Sequence, residues 1–351
     1  MLRQQQKFFI PPANYKGLLD SMAATLKTIS ERVGISQAAV SMILNRSSKD
    51  ISSQATRDKV FAIAKELNYK QQFGHKLLRG DKTRAAVILI SMKRLLMEEP
   101  IQQLVLLLID HFEKAAYTTS LMTIPDNEDG DLQITRELIQ RGFDHFIVIG
   151  CPSNYIQMEK EIENSKRSII GYNSLFHRNL SNDIHFEVQT TIKKFIASGC
   201  TNFRLISKNT PQSKSAAVAD LFPELSKEEV FSRYIYDIKI PAEVENIDEL
   251  SRFGYESTKA ILEEDPEVSA LMYISDYHML GGMRYIHEKG LRIGRDIKLC
   301  GVNNIHAVRN SLFPLWTWQL DVENIAKILF ENCSGTEPFS KIIKPLFKEI
   351  N

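Results

Sequence analysis

The residues whose types and spacing could do chemistry lie in the segment 25–45. Gln37, Ala38 and Ser41 share one face of a short helical stretch. Val40, Ile43 and Leu44 give that stretch an apolar face. A polar face on so short a helix suits hydrogen bonding to an extended partner. A second short helix precedes it, and the pair has the helix-turn-helix layout. In that layout the second helix enters the DNA major groove with its N-terminal residues at the base edges.

The elements that must position this face are legible on either side. Leu26, Ile29 and Val33 recur at helical spacing before it. Gly34 stands at the sharp turn, where a positive φ carries no steric cost for glycine. Ser36 can cap the second helix by accepting an exposed N–H of its first turn. A third helix is expected over 53–67, capped by Ser53, with Val60, Phe61, Ala64 and Leu67 as its inner stripe. Residues 70–83 are basic, lack apolar periodicity and read as a linker.

Charge separates the ends of the chain. The whole carries +1, but residues 25–82 hold eleven Lys/Arg against five Asp/Glu, and residues 83–351 hold 30 against 37. A basic module on an acidic body points to phosphate at one end. At 351 residues, 43% hydrophobic, the chain can bury more than one core. After residue 84 apolar strands alternate with helices, in a pattern that runs through two halves. Strands are expected at 85–91, 119–124, 146–150, 168–172, 203–207, 234–238, 270–275 and 298–302. Near-continuous apolar strands between helices indicate parallel sheets covered on both faces. The expected fold is α/β: a three-helix head and two lobes of doubly wound parallel sheet, with ligands outside the carboxyl ends of the strands.

Cys151, Cys200, Cys300 and Cys333 are far apart, with no metal-ligand spacing, and free thiols suit a reducing cytoplasm. No cofactor, metal or membrane span is expected. Residues 1–24 read as an arm. No phosphate-binding glycine loop, nucleophile elbow or zinc-protease motif is found, and His287 and Glu288 lack the second histidine of the last. The chain therefore reads as a non-enzyme.

These residues carry a resemblance. The segment 25–45, with Thr56, Arg57 and residues 66–69 after it, resembles the DNA-binding head of the LacI (lactose repressor) family of bacterial regulators. Further echoes are Ser275 and Asp276 followed by Gly281, Gly290 to Ile293, Gly301 to Asn304, Pro314 to Thr317, and a closing strand over 341–350. The resemblance implies a head at 25–70, a hinge at 71–83 and a two-lobed, periplasmic-binding-protein-like core at 84–351. It also implies a homodimer on a pseudo-palindromic operator in double-stranded DNA, with a small effector, a sugar or sugar derivative, between the lobes. Gln37 and Ala38 match positions that read bases; Gln can bond adenine and Ala can touch a thymine methyl. Ser36, Ser41 and Asn45 match phosphate-contacting or orienting positions, and Ser53 joins the DNA-contacting set. Thr25 and Leu26 open a helix whose N–H groups can take a phosphate. Leu77 and Leu78 match the hinge leucine that wedges into the minor groove. Asp183, Lys214, Asp276, Asn303 and Trp318 match the effector cleft.

The chain also departs from the pattern. Met42 stands where many members have Arg, so a guanine contact there is impossible. Gly74 weakens a hinge helix. Lys214 replaces Arg, Asn303 replaces Asp, and Ile184 follows Asp183 in place of Asn. Gln102 to Val105 lie where the family has Asn-Pro-Phe-Phe. Three readings stay open: a repressor controlled by a small molecule, a regulator with a degenerate cleft controlled by a protein partner, and a solute-binding protein that binds no DNA.

Overall fold

The computed structural model describes residues 25–44, 50–67, 69, 82–91, 95, 98–125, 129–208, 212–238 and 246–350. Asn45, Leu77, Leu78 and the expected arm at 1–24 lie outside the described residues. The chain divides into two compact units, with the boundary between residues 81 and 82.

The first unit holds α1 (Leu26–Val33), α2 (Gln37–Leu44) and α3 (Gln54–Glu66). Ile29, Val40, Ile43, Val60 and Ala64 make its buried core, with Leu26, Val33, Leu44 and Leu67 packed against them. Phe61 corrects the expected inner stripe: it is 38% exposed, because it follows Val60 by one residue and so points about 100° away from it.

The second unit is built from two lobes of the same winding. The first contains β1 (Ala85–Ser91), α4 (Glu99–Lys114), β2 (Thr118–Ile124), α5 (Gly130–Gln140), β3 (His145–Ile149), α6 (Tyr155–Asn164), β4 (Ser168–Tyr172) and β5 (Arg178–Asn182). The second lobe follows with α7 (Ile184–Ala197), β6 (Phe203–Lys208), α8 (Gln212–Ala219), α9 (Lys227–Tyr234), β7 (Ile235–Ile238), α10 (Ile247–Glu264), β8 (Ala270–Met272), α11 (Asp276–Glu288), β9 (Lys298–Val302), α12 (His306–Arg309) and β10 (Leu315–Gln319). The chain then returns to the first lobe for α13 (Val322–Asn332) and β11 (Phe339–Ile343), and ends in the second lobe with β12 (Leu346–Ile350).

The strand orders are β11-β5-β4-β3-β1-β2 and β12-β10-β9-β8-β6-β7. Every pairing is parallel except β12 against β10, where Leu315 lies opposite Ile350. The continuous apolar runs are explained by helices on both faces. In β1, Ala86, Ile88 and Ile90 pack toward α4 and α13, whereas Ala85, Val87 and Leu89 pack toward α5 and α6. Three chain segments join the lobes: after Asn182, between Gln319 and Val322, and between Ile343 and Leu346. The expected closing strand at 341–350 is therefore two strands in two sheets. Pro345 separates them, lacking the N–H that a ladder would need. Among the described residues no helix is long and apolar enough to cross a membrane.

Candidate nucleic-acid interface and inter-lobe cleft

The head is shaped by its caps. Thr25 accepts from the Thr28 backbone N–H at 3.2 Å, and Thr28 closes a capping box back onto Thr25. Gly34 takes φ +82 and donates its N–H to Ser30 O, which ends α1 and aims the chain into α2. Ser36 Oγ accepts from Ala39 N at 3.2 Å, and Ser53 Oγ from Thr56 N at 3.2 Å. These caps satisfy donors that a helix leaves bare, and they fix where α2 begins.

Gln37 and Ala38 stand exposed on the first turn of α2, and Met42 is half-buried one turn further on. Ser41 corrects the expected face. It is only 7% exposed, since its short side chain sits on α2 between the buried Val40 and the half-buried Met42. The Leu26 side chain packs on the head core, while Thr25 and Leu26 still open α1. Two ion pairs brace the unit: Arg32 Nη1 to Glu66 Oε1 at 2.7 Å, and Arg57 Nε to Asp50 Oδ2 at 2.7 Å. The Ser52 hydrogen bonds to Asp50, with Arg57 beside it, hold the Asp50 carboxyl below the usual range. Arg57 is thereby spent on the approach to α3. The sequence alone did not show this, since either partner could as well have faced solvent.

The cleft of the second unit is lined from the first lobe by Glu99 and Gln103 on α4. From the second lobe it is lined by Asn303, Asn304 and Arg309, with Gln319 at the crossover. Asn303 and Asn304 both take positive φ, +104 and +48, at the carboxyl end of β9. For non-glycine residues that conformation is uncommon and is tolerated best by Asn. Asn304 donates its N–H to Thr317 Oγ1 and its side-chain amide to Gln319 Oε1, and Arg309 donates to Asn304 O at 2.6 Å. Asn304 Oδ1 is buried and has no partner.

Of the five residues expected in the cleft, Asn303 lines it; the other four are committed elsewhere. Asp276 is wholly buried: Oδ1 accepts from Thr317 Oγ1 at 2.8 Å and Oδ2 from Ile305 N at 2.9 Å. Burial outweighs these bonds and raises its carboxyl to about 7. Trp318 is wholly buried, donates Nε1–H to Thr191 Oγ1 at 2.9 Å and packs on Phe186 and Phe347. The side chain therefore lies in the core of the second lobe and not in the cleft that the resemblance implies for it. Lys214 donates to Ile206 O at 2.7 Å. Burial lowers its ammonium, and the charge of the buried Glu187 opposes that shift. Glu187 itself is raised to about 7 by burial, with Lys214 pulling the other way. Asp183 caps α7, accepting from Phe186 N at 2.8 Å. Glu99, Arg309 and Gln319 line the cleft without having been singled out, because helix-start and crossover positions carry no local signal for it.

Comparison with known proteins agrees with this architecture. Residues 25–72 match the family described as bacterial regulatory proteins, lacI family, and residues 192–334 match a periplasmic binding protein-like domain. The HTH-type transcriptional repressor PurR of Pasteurella multocida is 42% identical over 64 residues, 18% of this chain and 19% of that protein. The chain thus spans about a fifth of that relative. The HTH-type transcriptional regulator GanR of Bacillus subtilis is 22% identical over 323 residues, 87% of this chain and 90% of GanR. Among solved structures, a lac repressor dimer bound to operator and the anti-inducer ONPF superposes with a TM-score of 0.69 at 18% identity, covering 93% of this chain and 98% of that one. A complex of the transcriptional regulator CelR with cellobiose gives 0.62 at 16% identity, over 93% and 99%. At these identities the likeness is one of fold.

Proposed function

We propose that the chain is a DNA-binding transcriptional regulator of the lacI family, of the repressor type, and that it works as a cytoplasmic homodimer on a pseudo-palindromic operator. The observation that carries the proposal is the capped first turn of α2, which presents Gln37 and Ala38 to solvent. There Gln37 reads a base edge and Ala38 contacts a methyl. Met42 lies one turn on, Ser36, Ser53 and the opening of α1 at Thr25 face phosphates, and Asn45, Leu77 and Leu78 complete the contact set. The working division is head 25–70, hinge 71–83 and core 84–351, with a small effector between the lobes. The CelR complex with cellobiose makes a sugar or sugar derivative the first class to try.

Selection of bound sequences from a random double-stranded pool, followed by salt titration of the winner, tests this reading. A pseudo-palindrome whose affinity falls steeply with salt is expected, since neutralised phosphates release counterions. Recovery of no preferred sequence would overturn it.

A second reading has its own support. Asp276, Lys214 and Trp318 are all committed within the second lobe. A regulator with a degenerate cleft, answering to a protein partner, fits that commitment. Calorimetry with a metabolite panel separates the two readings, because only the first gives saturable heat.

A further inference from the structure

Glu99 stands in the first turn of α4, on the first lobe, yet both of its carboxylate oxygens are taken by the second lobe. The Tyr277 hydroxyl donates to Oε1 at 3.0 Å, and the His306 backbone N–H donates to Oε2 at 2.9 Å. Tyr277 follows the buried Asp276 on α11, and His306 opens α12 directly after the strained pair Asn303 and Asn304. These two donors come from separate elements of one lobe and converge on one side chain of the other. Burial, with the Glu99 charge beside it, pushes the Tyr277 phenol up to about 12, so it stays a donor throughout the neutral range.

Two lobes joined by three chain segments can hinge, and what holds such lobes together is whatever hydrogen-bonds to both at once. In a cleft that closes on a ligand, the ligand supplies those bonds. Here Glu99 supplies them and also forms part of the wall of the open pocket beside Gln103, Asn303 and Arg309.

We propose that Glu99 is a built-in occupant of the cleft, a carboxylate latch that holds the two lobes together with no bound molecule. This rests on the regulator reading only for its consequence. The latched arrangement is one of two states that the operator-binding head reads, and a molecule that takes the Tyr277 and His306 donors from Glu99 releases it. By linkage, such a molecule shifts the balance only by as much as it prefers the released state.

The test uses the full chain as wild type, Glu99→Ala, Glu99→Gln, Tyr277→Phe and Glu113→Gln, the last altering an exposed carboxylate of α4 outside the cleft. Hydrogen exchange at the His306 amide should quicken roughly tenfold or more in Glu99→Ala, as expected when a local closing contact is lost. Small-angle scattering should show a larger radius of gyration for that variant. Tyr277→Phe and Glu99→Gln should fall between, and Glu113→Gln should match wild type. The duplex recovered by the selection above should bind Glu99→Ala with an affinity changed at least fivefold. Unchanged exchange at His306 together with unchanged scattering in Glu99→Ala would overturn the latch. If wild type selects no sequence, the regulator reading fails, while exchange and scattering still decide the latch.

Discussion

At the scale of single residues, the position of a proton on Asp276 is the sharpest consequence of burial. Its folded carboxyl titrates at about 7 against an ordinary 3.8. Between those values the unfolded chain has released the proton and the folded protein has kept it. Stability therefore falls as pH rises from 4 to 7, and the loss is complete above 7, with a slope of up to about 1.4 kcal/mol per pH unit. Glu187 acts in the same direction. Asp276→Asn keeps an acceptor for Thr317 and removes the titration. Urea unfolding of wild type and variant at pH 5 and pH 7.5 should show the gap between them moving in the variant's favour at the higher pH; parallel values would refute the assignment. Met42 makes a second prediction of this kind. A thioether offers no donor to guanine. Selection with Met42→Arg should recover a guanine at a position where wild type shows no such preference, because Arg can bond guanine O6 and N7 at once. An invariant guanine with wild type, unaltered in the variant, would contradict it.

At the scale of elements, glycines let two helix backbones come close where α10 and α11 cross. A Cβ on Gly254 would lie 1.8 Å from His278 O, and one on Gly281 1.7 Å from Ser251 O. Each contact is with backbone, which cannot swing aside as a side chain can. Gly254→Ala or Gly281→Ala should therefore cost about 3 kcal/mol or more, the upper range for overpacking. The urea midpoint reads this directly, and a loss below 1 kcal/mol would mean that the helices part easily. The same contrast between local and distant causes explains what the sequence could reveal. β1 was legible at 85–91 because both its faces are buried and its apolar run is unbroken. The caps at Ser36 and Ser53 were legible because a cap concerns only the next three residues. β5 was not legible: Arg178, Asn179, Ser181 and Asn182 are polar and find partners such as Asn332 O and Ser174 only once the lobe has formed. The fates of Asp276 and Trp318 were hidden for the same reason. They depend on Thr317 and Thr191, 41 and 127 residues away.

At the scale of the whole molecule, the two units rest on cores of very different size. Among the described residues, five buried apolar or small residues hold the head together, whereas four clusters fill the two lobes. A domain this small buries a modest fraction of its surface, so its own stability is marginal. Three chain segments tie the lobes to each other, so they should unfold together. Calorimetry of the full chain should accordingly show two transitions: a small one at lower temperature from the head and a large one from the lobes. Adding the selected duplex should raise the small transition selectively, because a ligand that binds only the folded head stabilises it by about 2.7 kcal/mol at a hundredfold excess over Kd. A single transition, moved as a whole by duplex, would instead mean that head and body fold as one cooperative unit. Operator binding would then be felt by the lobes through stability alone, and the Glu99 contact would be one of many sites able to report it.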